Sequence, residues 1–303
     1  MTGFGYNVNG FGVSSGVAPI PYGGHLFEGN TNGTRVQATW TAPADVTEVS
    51  VLCIGGGGQG GGALSWINGY TVIPGNDYAV QVGARDGAAG SGTASNDLSF
   101  FVDTSTCQAG GGSTNEALLG SGSALRTGEG GGNGGGGHSP YAGYGGAGGY
   151  SGNGGNGATL EGSYPPAGPG TSVQYSDGAD GAGGGGGGGG GRRFAAVWNT
   201  EDPTPFWDYA AAQGHESPMF GGGVGVYGEG SSGEGGEKAT ASVPAEAGSP
   251  GSGGVGSKYG GGGSGSEQGV GAVRIIWGPG DRAFPSTNVG KDYGGESETI
   301  TSP

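Results

Sequence analysis

Glycine dominates this chain and limits the ordered structures it can form, because 85 of the 303 residues are glycine. Ordering a glycine in a helix or strand costs roughly 0.5–1 kcal/mol more than ordering an alanine. Glycine-rich segments therefore either stay disordered or adopt a structure that only glycine permits. Collagen is excluded, because its Gly-X-Y repeat requires far more proline than the 16 residues present here.

Glycine recurs at every third position in the middle of the chain, where residues 142–156 read AGY-GGA-GGY-SGN-GGN. Three residues per turn is the repeat of the polyproline II helix, and helices with one bare edge can approach until N–H groups meet carbonyl groups. We therefore predict polyglycine II helices packed side by side, including one continuous helix over residues 143–157. A flexible Gly/Ser linker is the alternative. The predicted packing edge consists of Gly143, Gly146, Gly149, Gly152 and Gly155. The side chains predicted on outer faces or at the tips of the helices are Tyr144, Tyr150, Asn153 and Asn156.

Strand-like sequence flanks the glycine-rich region on both sides. Asn68-Gly69 predicts a β-hairpin within residues 64–72, and Pro74-Gly75 predicts a type II turn. Short strands separated by turns indicate an antiparallel β-sandwich. The last strand cannot bury its face alone, so we expect it to return to that sandwich. Alternating apolar residues predict strands over 34–40, 47–54, 77–83, 97–103 and 271–278.

The predicted fold class is all-β, a small antiparallel sandwich with a large inserted polyglycine II helix bundle. The sandwich is predicted to comprise residues 34–107 and 270–278, and the insertion residues 108–269. Residues 1–33 and 279–303 are predicted to be an N-terminal arm and an extended C-terminal tail that dock on neighbouring subunits. Frayed termini are the alternative for both ends.

Composition excludes several classes of function. The formal net charge is −15, so the chain lacks the basic surface that nucleic acid or an anionic membrane would bind. No apolar run approaches the ~20 residues of a membrane span, and the N-terminus does not read as a signal peptide. Gly55, Gly57 and Gly60 spell G-x-G-x-x-G, but a dinucleotide-binding turn must open a helix, and a strand-like stretch follows here.

The sequence predicts no enzyme active site, no cofactor and no metal ion. His25, His138 and His215 are far apart and have no second ligand at metal spacing. The acidic residues match neither a calcium-binding loop nor a catalytic carboxylate pair. Cys53 and Cys107 lie in strand-like stretches, and we expect buried free thiols because two cysteines do not make a disulfide framework.

One stretch of the insertion, residues 192–220, departs from glycine and is rich in aromatic side chains. Within it, TPFWDYAAAQG (204–214) predicts a short helix. Aromatic residues that a rigid scaffold presents on loops are typical of a recognition surface. A hydrophobic plug over the glycine-rich region, or an assembly contact, is the alternative. The candidate receptor-binding residues are Phe194, Trp198, Phe206, Trp207 and Tyr209, with Tyr141 and Tyr164 in neighbouring turns.

Three stretches carry a resemblance to a known family: TWTAPADVTEVSVLCIGGGGQGGGALSW (39–66), YTVIPGNDYAVQVG (70–83) and GVGAVRIIWGPGDRAFPSTN (269–288). They resemble the glycine-rich domain of bacteriophage tail fibres, adhesins and related virion proteins of marine, cyanophage-type viruses. The resemblance implies a jelly-roll-like sandwich that carries a polyglycine II bundle. It also implies that loops at the end of the bundle bind a bacterial surface receptor.

From these observations we expect a non-enzymatic structural protein on the exterior of a virion, as a tail-fibre or adhesin component. Its expected partners are other virion subunits, further copies of itself, and a bacterial surface receptor or glycan. A capsid decoration or spike protein on the same domain is one alternative. A self-assembling, glycine-rich filament subunit of a cell surface or matrix is another.

Overall fold

The computed structural model describes residues 22–85, 98–112, 122–137, 143–161, 172–190, 193–195, 220–238, 245–252, 254, 258–263, 268–278, 282–286, 289 and 298–302. Within these ranges the chain is all-β and contains no α-helix. The strands in chain order are β1 (Gly23–Glu28), β2 (Val36–Thr41), β3 (Glu48–Ile54), β4 (Leu64–Thr71), β5 (Asp77–Val82), β6 (Ser99–Phe101), β7 (Cys107–Ala109), β8 (Arg126–Thr127), β9 (Gly130–Gly132), β10 (Leu160–Glu161), β11 (Ser172–Tyr175), β12 (Arg193–Ala195), β13 (Ala272–Trp277) and β14 (Glu298–Thr301).

These strands form three sheets. The six-stranded sheet has the order β14-β1-β13-β3-β4-β9, and the five-stranded sheet has the order β2-β5-β6-β7-β8. A third, three-stranded sheet has the order β10-β11-β12. Because β13 pairs with β3 along Ala272–Ile276, the late strand does return to the sheet formed by the early strands, as its sequence predicts.

The two larger sheets share one hydrophobic core, as in a β-sandwich. Alternation along the strands sends one face of each sheet inward, so Trp40 of β2 and Val80 of β5 meet Val51 of β3 and Ile275 of β13. Cys53 and Cys107 lie in this core as free thiols with no exposed surface. Burial raises the pKa of the Cys53 thiol well above its ordinary value. The prediction of buried thiols is confirmed.

The two turn predictions have opposite outcomes. At Pro74-Gly75, Asn76 N donates to Ile73 O over 3.0 Å and Gly75 has a φ of +79°, so the predicted turn is confirmed. The hairpin predicted at Asn68-Gly69 is wrong, because β4 continues through both residues. The pairing of β4 with β3 shifts register opposite this point, and a bulge, like a hairpin turn, uses glycine in the left-handed region.

The ends of the chain also contribute strands. β1 falls within the predicted N-terminal arm but pairs along its whole length with β13. β14 falls within the predicted C-terminal tail and adds to the other side of β1. The prediction that these segments are extended and lie outside the sandwich is therefore wrong for residues 23–28 and 298–301, which pair as strands of the sheet. The remainder of the arm, residues 1–21, lies outside the described residues.

Glycine-rich segments cover the outer face of the six-stranded sheet. Leu52, Ile54 and Ile276 of the sheet form a second hydrophobic core with side chains from these segments, among them Tyr150 and Val224. Tyr150 lies at a tip, where the chain reverses. The outer-face alternative is wrong for it, because this side chain has no exposed surface. Its hydroxyl donates to Gly225 O over 3.0 Å and accepts from Gly228 N over 3.1 Å. The bare glycine main chain around it leaves room for the ring and supplies both hydrogen-bond partners.

Replacing Tyr150 with phenylalanine should lower the free energy of unfolding by about 1–3 kcal/mol, because the substitution leaves a buried carbonyl and a buried amide without partners. Urea denaturation of the purified chain measures this. Tyr144→Phe is the matched control, since the Tyr144 ring is also buried while its hydroxyl makes no hydrogen bond within the described residues. Equal losses for the two variants would contradict the assignment.

Residues 185–190, here called the central segment, show how the glycine-rich segments hold one another. The amides of the central segment donate to three different neighbours in turn, over 2.8–3.0 Å, and the direction repeats every third residue. A strand in a sheet would instead direct alternate amides to two neighbours. The donor–acceptor pairs are Gly185–Ala182 and Gly188–Ala179, then Gly186–Ala147 and Gly189–Tyr144, then Gly187–Ser249 and Gly190–Glu246.

The carbonyl groups of the central segment accept hydrogen bonds from further segments. Gly186 O and Gly189 O accept from residues 155 and 158, Gly185 O and Gly188 O accept from residues 233 and 236, and Gly187 O accepts from Gly222 N. The central segment is thus bonded to main chain on all sides. Hydrogen bonds, rather than apolar side chains, hold this part of the molecule together.

The five glycines predicted as a packing edge lie against the main chain of residues 179–189. A Cβ atom on any of them would lie less than 3.0 Å from an atom of residues 179–189, closer than real Cβ atoms approach. The continuous helix predicted over residues 143–157 is nevertheless wrong. The chain reverses at Tyr150–Ser151, because Gly149 N donates to Gly152 O and Gly146 N to Gly155 O, both over 2.8 Å.

Candidate functional site

Four stretches of sequence that connect described glycine-rich segments are called the excursions below: residues 138–142, 162–171, 191–219 and 239–244, of which the structure describes residues 193–195. They contain all seven aromatic residues that the sequence singles out as candidate receptor-binding residues. The described residues on either side of each excursion fix the positions of its two ends. We call those flanking residues the anchors.

The anchors of the longest excursion lie beside those of two others. Gly190, which precedes residues 191–219, donates through its amide to Glu246 O over 2.8 Å. Glu246 in turn donates through its amide to Glu237 O over 2.9 Å, so the excursion at 239–244 opens and closes next to Gly190. Phe220, which ends the longest excursion, stacks on Tyr144 with ring centroids 6.4 Å apart.

Phe220 completes a small hydrophobic cluster with Tyr144 and Ala245. Each of the three follows a different excursion, at residues 191–219, 138–142 and 239–244 respectively. The aromatic pair also explains why Tyr144 is buried, against the prediction that it would lie on an outer face. The cluster therefore holds together the described residues that follow three of the excursions.

The three-stranded sheet brings the fourth excursion to the same end. Its strand β10 follows directly from residues 152–159, and β12 follows the central segment within three residues. β11 lies between β10 and β12 and pairs with both. Residues 162–171 join β10 to β11, so their anchors are Glu161 and Ser172. All four excursions therefore start from one end of the glycine-rich segments, which we call the anchor end.

Polar contacts join the anchors across this end. The Lys238 ammonium lies 3.1 Å from the Glu161 carboxylate, and Lys238 N donates to Asp177 Oδ1 over 2.8 Å. Gly235 N donates to Asp180 Oδ1 over 2.7 Å. The Lys238–Glu161 pair is partly exposed, and such pairs contribute about 0–1 kcal/mol to stability. Its effect is to fix the position of one anchor relative to another. These residues are distant in sequence and follow no spacing that would have revealed them.

The opposite end of the same segments is closed by short turns. The chain reverses at Tyr150–Ser151 and at Gly183–Gly184, where both glycines have positive φ. Tyr150 N donates to Gly183 O over 2.7 Å and joins these two turns. The Ser252 hydroxyl joins the second turn to a further segment, because it donates to Gly184 O over 2.8 Å and accepts from Gly230 N over 3.1 Å. The long connections and the tight turns thus lie at opposite ends.

The predicted site residues are placed only in part. The backbone of Phe194 lies in β12, where Phe194 pairs with Val173 of β11. Trp198, Phe206, Trp207, Tyr209, Tyr141 and Tyr164 lie outside the described residues, as does the predicted helix over 204–214. What the structure brings together is the set of anchors from which these residues extend.

Of the three histidines, His25 lies within the described residues. Among the described residues, no group of three or more His, Cys, Asp or Glu side chains could hold a metal ion. His25 stacks on Phe27, and burial lowers its pKa from the ordinary value. His138 and His215 lie outside the described ranges. No helix in the described part of the chain has the length and apolar character to span a membrane.

Comparisons with known proteins add no relative. No family model matches the chain, and neither the curated proteins nor the solved structures contain a match.

Proposed function

We propose that the chain is a non-enzymatic structural protein on the exterior of a virion, a tail-fibre or adhesin component that presents loops for host-surface recognition. The observation that carries this proposal is the convergence of four excursions on the anchor end. The aromatic-rich stretches of sequence connect there to a scaffold of hydrogen-bonded main chain, and the turns described at the other end, at Tyr150–Ser151 and Gly183–Gly184, are tight. Binding residues are disproportionately found on loops that a rigid scaffold positions.

The scaffold in this proposal is a bundle of polyglycine II helices on a jelly-roll-like sandwich. The hydrogen bonds of the central segment support it, because their direction repeats every three residues, as a helix with three residues per turn requires. The close approach of neighbouring main chains supports it as well, since glycine leaves the space that a Cβ atom would occupy. Such a bundle needs little apolar side-chain volume, in keeping with a chain that is only 32% hydrophobic.

The recognition surface in this proposal consists of the aromatic residues between the anchors. Tryptophan, tyrosine and phenylalanine provide large contact areas with few rotatable bonds, and tryptophan and tyrosine are enriched where binding energy concentrates. A bacterial surface protein or glycan is the partner. Other virion subunits and further copies of the chain are the structural partners. With a net charge of −15, the surface favours neutral or cationic groups over anionic ones.

Binding to bacteria tests the recognition role directly. The fluorescently labelled chain is added to a panel of marine bacteria that includes cyanobacteria, and bound protein is measured against concentration. We expect saturable binding to some strains. The double variant Trp198→Ala, Trp207→Ala should bind those strains at least about 30-fold more weakly, which corresponds to the loss of a single hot-spot contribution of about 2 kcal/mol.

A matched control separates recognition from general stickiness. Ile73 is 60% exposed beside the Pro74-Gly75 turn of the sandwich, so Ile73→Ala removes an exposed apolar side chain away from the anchor end. It should bind as the unchanged chain does, and all variants should keep the same melting temperature. Equal binding by the tryptophan variant would refute the adhesin role. Copy numbers that match capsid symmetry would then indicate a decoration protein, and polymerisation of the purified chain a filament subunit.

A further inference from the structure

The C-terminal strand β14 joins the six-stranded sheet in an unusual way. It pairs with β1 in parallel, with Gly24 opposite Glu298 and Phe27 opposite Thr301, whereas the other named strand pairs are antiparallel. Among the described strands, β14 lies at the edge of the sheet with β1 as its one neighbour. Ile300 is 50% exposed. Apolar burial therefore contributes little to holding this strand.

One ion pair without exposed surface ties β14 to the rest of the sheet. Arg274 Nε of β13 lies 2.6 Å from Glu298 Oε1, and neither side chain has any exposed surface. Tyr227 also donates to Glu298 Oε2 over 3.0 Å. Burial raises the pKa of Tyr227 to about 12, so its hydroxyl keeps the proton that it donates. The groove beside β1 is thus built to receive a carboxylate at one position.

Two polar contacts complete the attachment of the C-terminus. His25 Nε2 lies 2.9 Å from Thr301 Oγ1, and Ser302 donates to Glu28 Oε2 over 2.7 Å. Burial alone would raise the pKa of Glu28, but hydrogen bonds from Tyr259, Lys258 and Ser302 outweigh it and lower that pKa. Glu28 is therefore ionised and accepts these bonds at neutral pH. The contacts described for β14 and Ser302 thus reach the sheet and, through Tyr227, the glycine-rich segments.

The connection that leads to β14 is long relative to the gap between its ends. Val289 O accepts a hydrogen bond from Arg274 Nη1 over 2.5 Å, and Glu298 binds Nε of the same guanidinium. The residues on either side of 290–297, Val289 and Glu298, therefore both bind the guanidinium of Arg274. An extended chain of eight residues reaches roughly 26–29 Å. That length is enough to carry β14 away from its own β1 and towards the same edge of a neighbouring molecule.

We propose that the edge of β1 is an acceptor site for β14 of a second copy of this chain, and that two copies exchange these strands to form a dimer. Exchange keeps the parallel ladder, the Arg274–Glu298 pair and the polar contacts, because an identical strand replaces the chain's own. The exchange loses none of these hydrogen bonds and keeps the ion pair. Exchange of an identical element between copies is a low-cost route to dimers. The inference concerns the chain alone and holds whether or not the protein binds a host surface.

Crosslinking between β1 and β14 tests the exchange. The double variant His25→Cys, Thr301→Cys places thiols on two side chains that touch, and a short bis-maleimide joins them. Cys53 and Cys107 are buried and do not compete in the folded protein. The variant is refolded at low and at high concentration, crosslinked, and resolved on a denaturing gel. We expect a product of twice the 28.9 kDa chain mass, whose share rises with protein concentration.

The single variants His25→Cys and Thr301→Cys are the controls, because each can crosslink only through chance encounters between copies. The proposal requires that the dimer exceed both controls. A second measurement mixes the two single variants before refolding, and exchange should then give a mixed dimer. Crosslinked product at the mass of one chain at every concentration would overturn the proposal. Absence of any crosslink would overturn it as well, since β14 would then lie beside neither β1.

Discussion

Gly186→Ala is expected to lower the free energy of unfolding by about 3 kcal/mol, the upper end of the usual cost of forcing a group into filled space. A Cβ atom at this position would lie closer than 3.0 Å to the carbonyl oxygen of Gly222. The neighbours are main chain, which cannot rotate away as a side chain can. Relief requires that segments move apart, and Gly186 makes hydrogen bonds with both Ala147 and Gly155 that such movement would weaken.

Urea denaturation and resistance to protease measure this loss, with Gly24→Ala as the matched control. A Cβ on Gly24 would meet its nearest neighbour, Glu298 Oε1, at 3.4 Å, which is an ordinary contact. The control should stay within about 1 kcal/mol of the unchanged chain, because a glycine-to-alanine change at a position that accommodates the methyl group alters stability by about 0.4–1 kcal/mol. If the two alanine variants unfolded alike, close packing of the glycine main chain would not be a source of stability.

Arg274→Met is expected to lower the free energy of unfolding by about 3–5 kcal/mol, because it leaves the Glu298 carboxylate buried without its counter-charge. The substitution also removes the donor to two carbonyl groups, Val226 O at 3.1 Å and Val289 O at 2.5 Å. The arginine therefore joins β13, the glycine-rich segments and the C-terminal strand, and its loss should affect all three.

A second variant separates charge from packing. The double variant Arg274→Met, Glu298→Leu removes both charges of this pair, and replacing both members of a buried pair with apolar residues is often neutral or better. We expect it to recover most of the stability lost in the single variant. The unfolding midpoint in urea, compared at constant slope, measures the recovery. A double variant that is no more stable than the single one would show that the methionine, rather than the unpaired carboxylate, causes the loss.

The sequence predicts the sandwich well because its signals are local. Alternation places Trp40 and Val80 in the shared core, and a turn with proline followed by glycine needs no distant partner. Asn68-Gly69 is different, because a hairpin turn and a bulge both require a positive φ at glycine. Only the pairing of β4 with β3 decides between them. β1 and β14 were missed for the same reason, since their pairing joins opposite ends of the chain.

The spacing of the glycines predicts which stretches of main chain pack closely, but it does not predict the direction of the chain within them. The same three-residue period continues on both sides of Ser151, so nothing in the sequence marks the reversal there. Tyr150 turns inward because distant residues, Gly225 and Gly228, supply its hydrogen bonds. The aromatic content of the candidate site is plain in the sequence. The meeting of its anchors at one end is not, because it depends on how many times the chain reverses.

The hydrogen-bonded glycine segments have a thermal consequence. The heat-capacity change of unfolding comes from exposing apolar surface, whereas newly exposed polar surface lowers it. The stabilisation from the two hydrophobic cores therefore weakens as the temperature falls. The lattice of main-chain hydrogen bonds around the central segment does not depend on that driving force. The stability curve of this protein should accordingly be flatter than that of a globular domain of equal length, and the lattice should hold its shape in cold water.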